Sequence, residues 1–181
     1  MQYTKTYDSP LGKILLAADE QGLTGLWFDK EKYFARNLDP EHKPGDLPAL
    51  KAACRWLDIY FSGTEPTFTP PLHIIGTSFQ KEVWQILLQI PYGETVTYGD
   101  IAQQIASNRG VEKMSAQAVG GAVGHNEISI IIPCHRVVGA NGSLTGYAGG
   151  VDKKNFLLKL EGVDVSKFSI PTKGTAIKSE W

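Results

Sequence analysis

The chain has 181 residues and only two cysteines, Cys54 and Cys134, which form no CxxC pair. That spacing carries no zinc-ribbon or thioredoxin signal. Charge of one sign is lacking too. Lys and Arg number 18 against 19 Asp and Glu, so bulk positive charge cannot be what holds a nucleic acid here. The start, Met1-Gln2-Tyr3-Thr4-Lys5, has no apolar signal core, and no run is long enough to cross a bilayer. A reducing cytoplasm is the expected setting, because a free thiol stays available there. What remains is ordinary globular composition, with room for one large domain or two small ones.

Residues 1–30 read as a β-meander. Tyr3 to Asp8 alternates, Ser9-Pro10-Leu11-Gly12 is turn chemistry, and Lys13 to Asp19 and Leu23 to Asp29 are the next strands. No catalytic constellation stands out, so this part is expected to be a scaffold sheet. Residues 30–48, with Pro40, Pro44 and Pro48, predict a surface loop. Leu47 to Phe61 predicts a helix with Leu50, Ala53, Cys54, Leu57, Tyr60 and Phe61 on one face, which makes Cys54 a core residue. Pro66, Pro70 and Pro71 mark a stiff linker. The expected domains are therefore 1–71 and 72–162, followed by a polar tail over 163–181 that is frayed or loosely docked.

Two helices follow, each opened by a capping pattern: Thr77 with Gln80, then Thr97 with Asp100. After a polar turn from Ser107 to Lys113, Met114 to Val123 predicts a helix of small residues. Helix, short turn, helix is the helix-turn-helix pattern. The second helix lacks Arg, Lys and Asn and carries Gly120-Gly121, which suits a narrow groove or close packing better than side-chain readout of bases. Asn126 is expected as a left-handed cap. Ile130-Ile131-Ile132 predicts a buried strand stopped by Pro133. Asn141-Gly142 predicts a hairpin, the wing of a winged helix. A last helix is expected from Lys153 to Glu161, capped by Asp152, with Phe156, Leu157 and Leu160 inward and Gly162 as its stop.

Cys134 and His135 are the candidate chemistry. Only the thiolate is a strong nucleophile, its free pKa is about 8.5, and a nearby imidazole can take the proton. Neighbours on extended backbone point to opposite faces. His135 therefore serves Cys134 only if the chain turns there or a water bridges them. The competing account is a small buried cysteine with a packing role.

Residues 77–162 resemble the O6-alkylguanine-DNA alkyltransferase family. The resemblance rests on Ala118-Val119-Gly120-Gly121-Ala122, Asn126, Ile132-Pro133-Cys134-His135-Arg136-Val137, Thr145-Gly146-Tyr147-Ala148-Gly149-Gly150, Leu157-Leu158 and Glu161-Gly162. The N-terminal part matches more loosely. The resemblance implies an α+β protein, with a small ribonuclease-like α/β domain followed by a winged helix-turn-helix alkyltransferase domain. It implies direct transfer of an alkyl group from O6 of guanine in double-stranded DNA to Cys134; whether O4 of thymine is also served stays open. His135 would draw off the thiol proton through a water, Glu161 would orient His135, and Asn126 would brace the turn before the active-site segment. Tyr147 and the Ala148 amide would donate to O6, the Val137 carbonyl would accept from the exocyclic amine, and Tyr98 would press on a phosphate. Gln117, Gly120 and Arg136 would complete the DNA-facing set. The alkylated base is stacked in duplex DNA, so it must be flipped out. A thioether is too stable for this machinery to hydrolyse, so one turnover is expected, with no cofactor, no metal and a monomeric protein.

Two residues depart from the family pattern. Gln117 stands where many members have arginine, which predicts weaker DNA affinity. Glu127 replaces the usual proline after Asn126, which predicts a looser turn and slight repulsion of phosphate. Charges over 77–162 balance, seven against seven, so DNA binding has to use local placement and helix amides. Three rivals remain. A lesion-binding alkyltransferase-like protein would lack the nucleophile, which Cys134 argues against. A winged-helix regulator would not need Tyr147 and Glu161 at this spacing. A cysteine hydrolase would need an oxyanion hole and turnover.

Overall fold

A computed structural model describes residues 1–144 and 146–170. Thr145 of the glycine-rich segment and residues 171–181 of the expected tail lie outside the described residues. Strands β1 (Gln2–Ser9), β2 (Gly12–Asp19) and β3 (Gly22–Phe28) form the antiparallel meander. Its first turn is held by Ser9, whose hydroxyl donates to the Gly12 carbonyl and accepts from the Leu11 amide. A short β4 (His42–Pro44) pairs parallel with β1, giving the order β3-β2-β1-β4. The surface loop expected over 30–48 thus contains an edge strand. Its residues are all exposed, so no apolar alternation announces it, and Pro44 is tolerated because it sits at an edge.

Helix α1 (Pro48–Phe61) starts with proline in its first turn and buries Leu50, Ala53, Leu57 and Tyr60. All seven residues of β3 are buried, because its outer edge is covered by the other half of the chain. Leu23 exchanges backbone bonds with Pro71 and His73, and Leu26 with Glu127 and Ser129, at 2.8–3.0 Å. One apolar cluster runs through both halves, from Ile14 to Leu157.

The second half stacks α2 (Ser78–Leu87), α3 (Tyr98–Arg109) and α4 (Ala116–Gly124). Both predicted capping boxes are formed, and α3 ends on left-handed Gly110. Ser115 caps α4, so that helix begins after Met114. Trp84 of α2 donates its indole N–H to the Ala122 carbonyl at 2.8 Å, which fixes α2 against α4.

Four local expectations fail. The isoleucine run is a buried turn, not a strand. Its backbone groups bond locally, Ile132 to Ile128 and Ile131 to Ser129, and Ile130 lies at φ 69. Burial alone does not distinguish such a turn from a strand. Asn126 is absent from the left-handed residues and closes the turn with its side chain. The wing is one bond deep: Gly139 pairs with Ser143, but β6 (Val137–Val138) joins β5 (Val96–Thr97) in parallel, and Ser143 bridges to Ser169. Residues 163–170 are accordingly docked, with Val163, Val165 and Phe168 packed on Val138, Leu144 and Leu158. Finally, α5 (Val151–Leu160) has Gly150 at its N-cap with no side-chain cap. Leu157 and Leu158 face the two apolar clusters, which turns Phe156 outward to 37% exposure.

Candidate active site

Cys134, His135 and Arg136 form a single 3-10 turn after Pro133, and all three are buried. The chain therefore does turn at the cysteine, so Cys134 and His135 are not held on opposite faces of a strand. The turn is fixed from behind by Asn126, whose amide donates to the Ile132 carbonyl at 2.8 Å and accepts from the Ile128 amide at 3.0 Å.

His135 Nε2 lies 2.6 Å from Glu161 Oε2 at the end of α5. The same carboxylate accepts from Arg136 Nε at 2.8 Å, the Gly93 amide at 3.0 Å and the Tyr60 hydroxyl at 2.7 Å. Burial opposes its charge, but the bonds from His135 and Arg136 win and hold Glu161 well below the usual carboxylate range. An ionised Glu161 makes Nε2 the protonated nitrogen of His135. Its Nδ1 then carries the lone pair, and that atom is buried with no hydrogen-bond partner among the described residues. Burial holds His135 below its ordinary value against the pull of Glu161, so the imidazole is a neutral base at pH 7.

The thiol needs that base. Burial pushes Cys134 up to about 11, with the Asn126 side chain pulling the other way. Ionising such a thiol at pH 7 costs about 5 kcal/mol. Spontaneous thiolate is therefore scarce, and removal of the proton has to be coupled to attack.

Around this centre, Tyr147 is buried with its ring 6.5 Å from that of His135, edge to face, and its hydroxyl has no hydrogen-bond partner of normal geometry among the described residues. Ala148 follows and is buried too. The Val137 carbonyl receives the ammonium of Lys154 at 2.5 Å. Lys154 is wholly buried and is lowered to about 7 by that burial. It also lies 6.0 Å from the Tyr98 ring centroid. Tyr98 in turn flanks Gly120, where an added Cβ would meet its ring at 3.8 Å. Gln117 is exposed on α4.

Two sequence expectations are corrected here. Arg136 is 7% exposed and spends its guanidinium on Glu161 and the Ile90 carbonyl, so it braces the active site and does not face DNA. Glu127 neither loosens its turn nor faces phosphate. It is buried, its carboxylate accepts from the Trp27 indole at 2.9 Å, and its carbonyl takes the Leu26 amide.

The N-terminal half, expected to be scaffold alone, supplies Tyr60 to Glu161 and packs Phe28 edge-on against Tyr147 at 6.4 Å. Buried Glu31 lies beneath the same wall, pushed up to about 8 by desolvation. Sequence reasoning missed Tyr60, Glu31 and Lys154 as site residues. A signal existed for Lys154, which shares helical spacing with Leu157, Leu158 and Glu161. None existed for Tyr60 or Glu31, which reach the site only through tertiary packing. Among the described residues no cluster of His, Cys, Asp or Glu could hold a metal ion, and no helix is long and apolar enough to cross a membrane.

The site joins a buried cysteine and a His-Glu pair to a helix-turn-helix, a nucleophile-and-base pairing beside a DNA-binding motif. Comparison with known proteins gives the family. Residues 78–163 match the DNA-binding domain of 6-O-methylguanine DNA methyltransferase, and residues 2–74 match its ribonuclease-like domain. The chain is 47% identical to the methylated-DNA–protein-cysteine methyltransferase of Methanosarcina acetivorans, over 88% of this chain and 98% of that one. It is 45% identical to the enzyme of that name from Mycobacterium tuberculosis, over 89% and 93%. A crystal structure of Mycobacterium tuberculosis OGT in complex with DNA superposes with a TM-score of 0.75 at 43% identity, covering 92% of this chain and 94% of that one. The chain belongs to the methylated-DNA–protein-cysteine methyltransferase family, with its ribonuclease-like domain followed by its DNA-binding domain.

Proposed function

We propose that this protein repairs duplex DNA by taking the alkyl group of O6-alkylguanine onto Cys134, once per molecule. The observation that carries the mechanism is the orphaned Nδ1 of His135, in a ring whose other nitrogen is fixed on an ionised Glu161. The glycine face of α4 lies against the minor groove and the damaged nucleotide turns out of the stack. Cys134 Sγ attacks the alkyl carbon as His135 takes the thiol proton through a water. The S–C bond forms, the O6–C bond breaks, and the electron pair leaves on guanine. Tyr147 and the Ala148 amide donate to O6 as that charge develops. The proton held by His135 returns to the released guanine, so the reaction needs no external acid. Glu161 stays ionised throughout and stabilises the transient imidazolium.

The test is intact-protein mass after mixing with duplex DNA carrying one O6-methylguanine, beside Cys134→Ala. A stoichiometric gain of one methyl for hydrogen, lost in the variant, is expected. Retention of the lesion without a mass gain would instead indicate a binder that does not repair.

A further inference from the structure

Beside Tyr147 lie two buried polar side chains that the transfer mechanism does not use, Glu31 and Ser129. Glu31 follows β3, and one of its carboxyl oxygens accepts from the Phe28 amide at 2.7 Å. Ser129 belongs to the turn that Asn126 closes. Its amide donates to the Leu26 carbonyl at 3.0 Å and its carbonyl accepts from the Ile131 amide at 2.8 Å, so its backbone is fixed. The Ser129 hydroxyl lies against both the Glu31 carboxyl and the Tyr147 hydroxyl, short of normal bond geometry at Tyr147. Desolvation, helped by Glu127 and opposed by the Phe28 amide, Ser129 and Lys153, pushes Glu31 up to about 8. At pH 7 it is the carboxylic acid and has a hydrogen to donate.

The Tyr147 ring is fixed, and its hydroxyl hydrogen is not. Phe28 and His135 meet the ring edge to face, with centroids at 6.4 and 6.5 Å. At Gly149 an added Cβ would stand 2.9 Å from Tyr147 Cε2 and 3.0 Å from Phe28 Cδ2, so the ring has no room to shift on that side. A phenolic O–H still turns about its C–O bond to suit its neighbours. If it donates to Ser129, it is lost to the substrate. We propose that Glu31 and Ser129 are positioning residues for transfer: the Glu31 carboxyl donates to Ser129, Ser129 donates to the Tyr147 oxygen, and the Tyr147 hydrogen is left for O6 of guanine. The inference rests on the reading of Tyr147 as the O6 donor. All three hydroxyls then point one way. Each bond polarises the next, which strengthens the last donor as charge develops on the guanine. No covalent bond changes along this chain, and the thiol proton still ends on guanine.

Single-turnover methyl transfer at pH 7 tests this in the full chain, with Ser129→Ala, Glu31→Ala and Glu31→Gln, each alone and combined with Tyr147→Phe. Ser129→Ala and Glu31→Ala are each expected to slow transfer roughly fivefold, the worth of one neutral hydrogen bond. Affinity for lesion DNA, read in the same variants carrying Cys134→Ala, should not change. Glu31→Gln keeps both an acceptor for the Phe28 amide and a donor for Ser129, so it should restore most of the loss seen with Glu31→Ala. Tyr147→Phe should slow transfer by itself, and on that background neither Ser129→Ala nor Glu31→Ala should slow it further, because the hydroxyl they aim is gone. An equal fall with and without the Tyr147 hydroxyl would make both residues packing elements and overturn the proposal. So would an undiminished rate in Ser129→Ala, which keeps its backbone bonds and serves even where Glu31→Ala does not fold. Slowing by Ser129→Ala with none by Tyr147→Phe would remove the O6 donor itself, and the proposal with it. A native chain that gains no methyl would instead remove the assignment of Cys134 on which both stand.

Discussion

The Tyr60 hydroxyl donates to Glu161 Oε2 at 2.7 Å, joining a helix of the first half to the end of α5 across 101 residues of chain. A neutral donor on a buried carboxylate is worth about 2 kcal/mol. Tyr60→Phe is therefore expected to lower urea stability by about that amount. It should also slow methyl transfer severalfold while leaving affinity for lesion DNA unchanged. A rate equal to that of the native chain would show that His135 and Arg136 suffice to hold Glu161.

The pH profile of single-turnover transfer follows from His135. The base must be neutral, and burial places its titration below the ordinary imidazole value of about 6.5. The rate should be flat through neutrality and fall only as pH drops below that range. An inflection at or above pH 7 would mean that Glu161 outweighs burial and holds the imidazolium.

Glu127→Ala would leave the buried indole N–H of Trp27 without a partner. A loss of roughly 1–3 kcal/mol in denaturant unfolding is expected. DNA affinity and its salt dependence should not change, since the carboxylate does not face the groove. A gain in affinity would restore the idea of phosphate repulsion.

Gln117→Arg adds a cation to the exposed side of α4. Affinity for duplex DNA should rise, and the slope of log affinity against log salt should steepen by roughly 0.9, one phosphate's worth. An unchanged slope would place residue 117 away from the backbone.

Much of this was legible in the sequence. Thr77/Gln80 and Thr97/Asp100 located two helix starts because capping is a local interaction, and Ser9-Pro10-Leu11-Gly12 located the first turn for the same reason. Cys134, His135 and Glu161 stood out through the motif. The isoleucine run misled, because β-branched residues meet the demand for burial equally well in a turn whose bonds come from an asparagine side chain. Glu127 and Arg136 misled for a different reason. Both carry charge, and only the folded chain shows each charge buried against a partner far away in sequence. Tyr60 looked like one more apolar face residue; its hydroxyl found a use only once α1 lay against α5.

The edge of β3 has a consequence for biosynthesis. Its outer backbone groups are taken by residues 71–73 and 127–129. During translation the meander leaves the ribosome well before that second stretch exists. For this interval the nascent chain carries an apolar strand with part of its edge open, a template for pairing with another chain. Slow elongation between residues 72 and 129 would lengthen that exposure, and a chain truncated before Glu127 would keep it permanently.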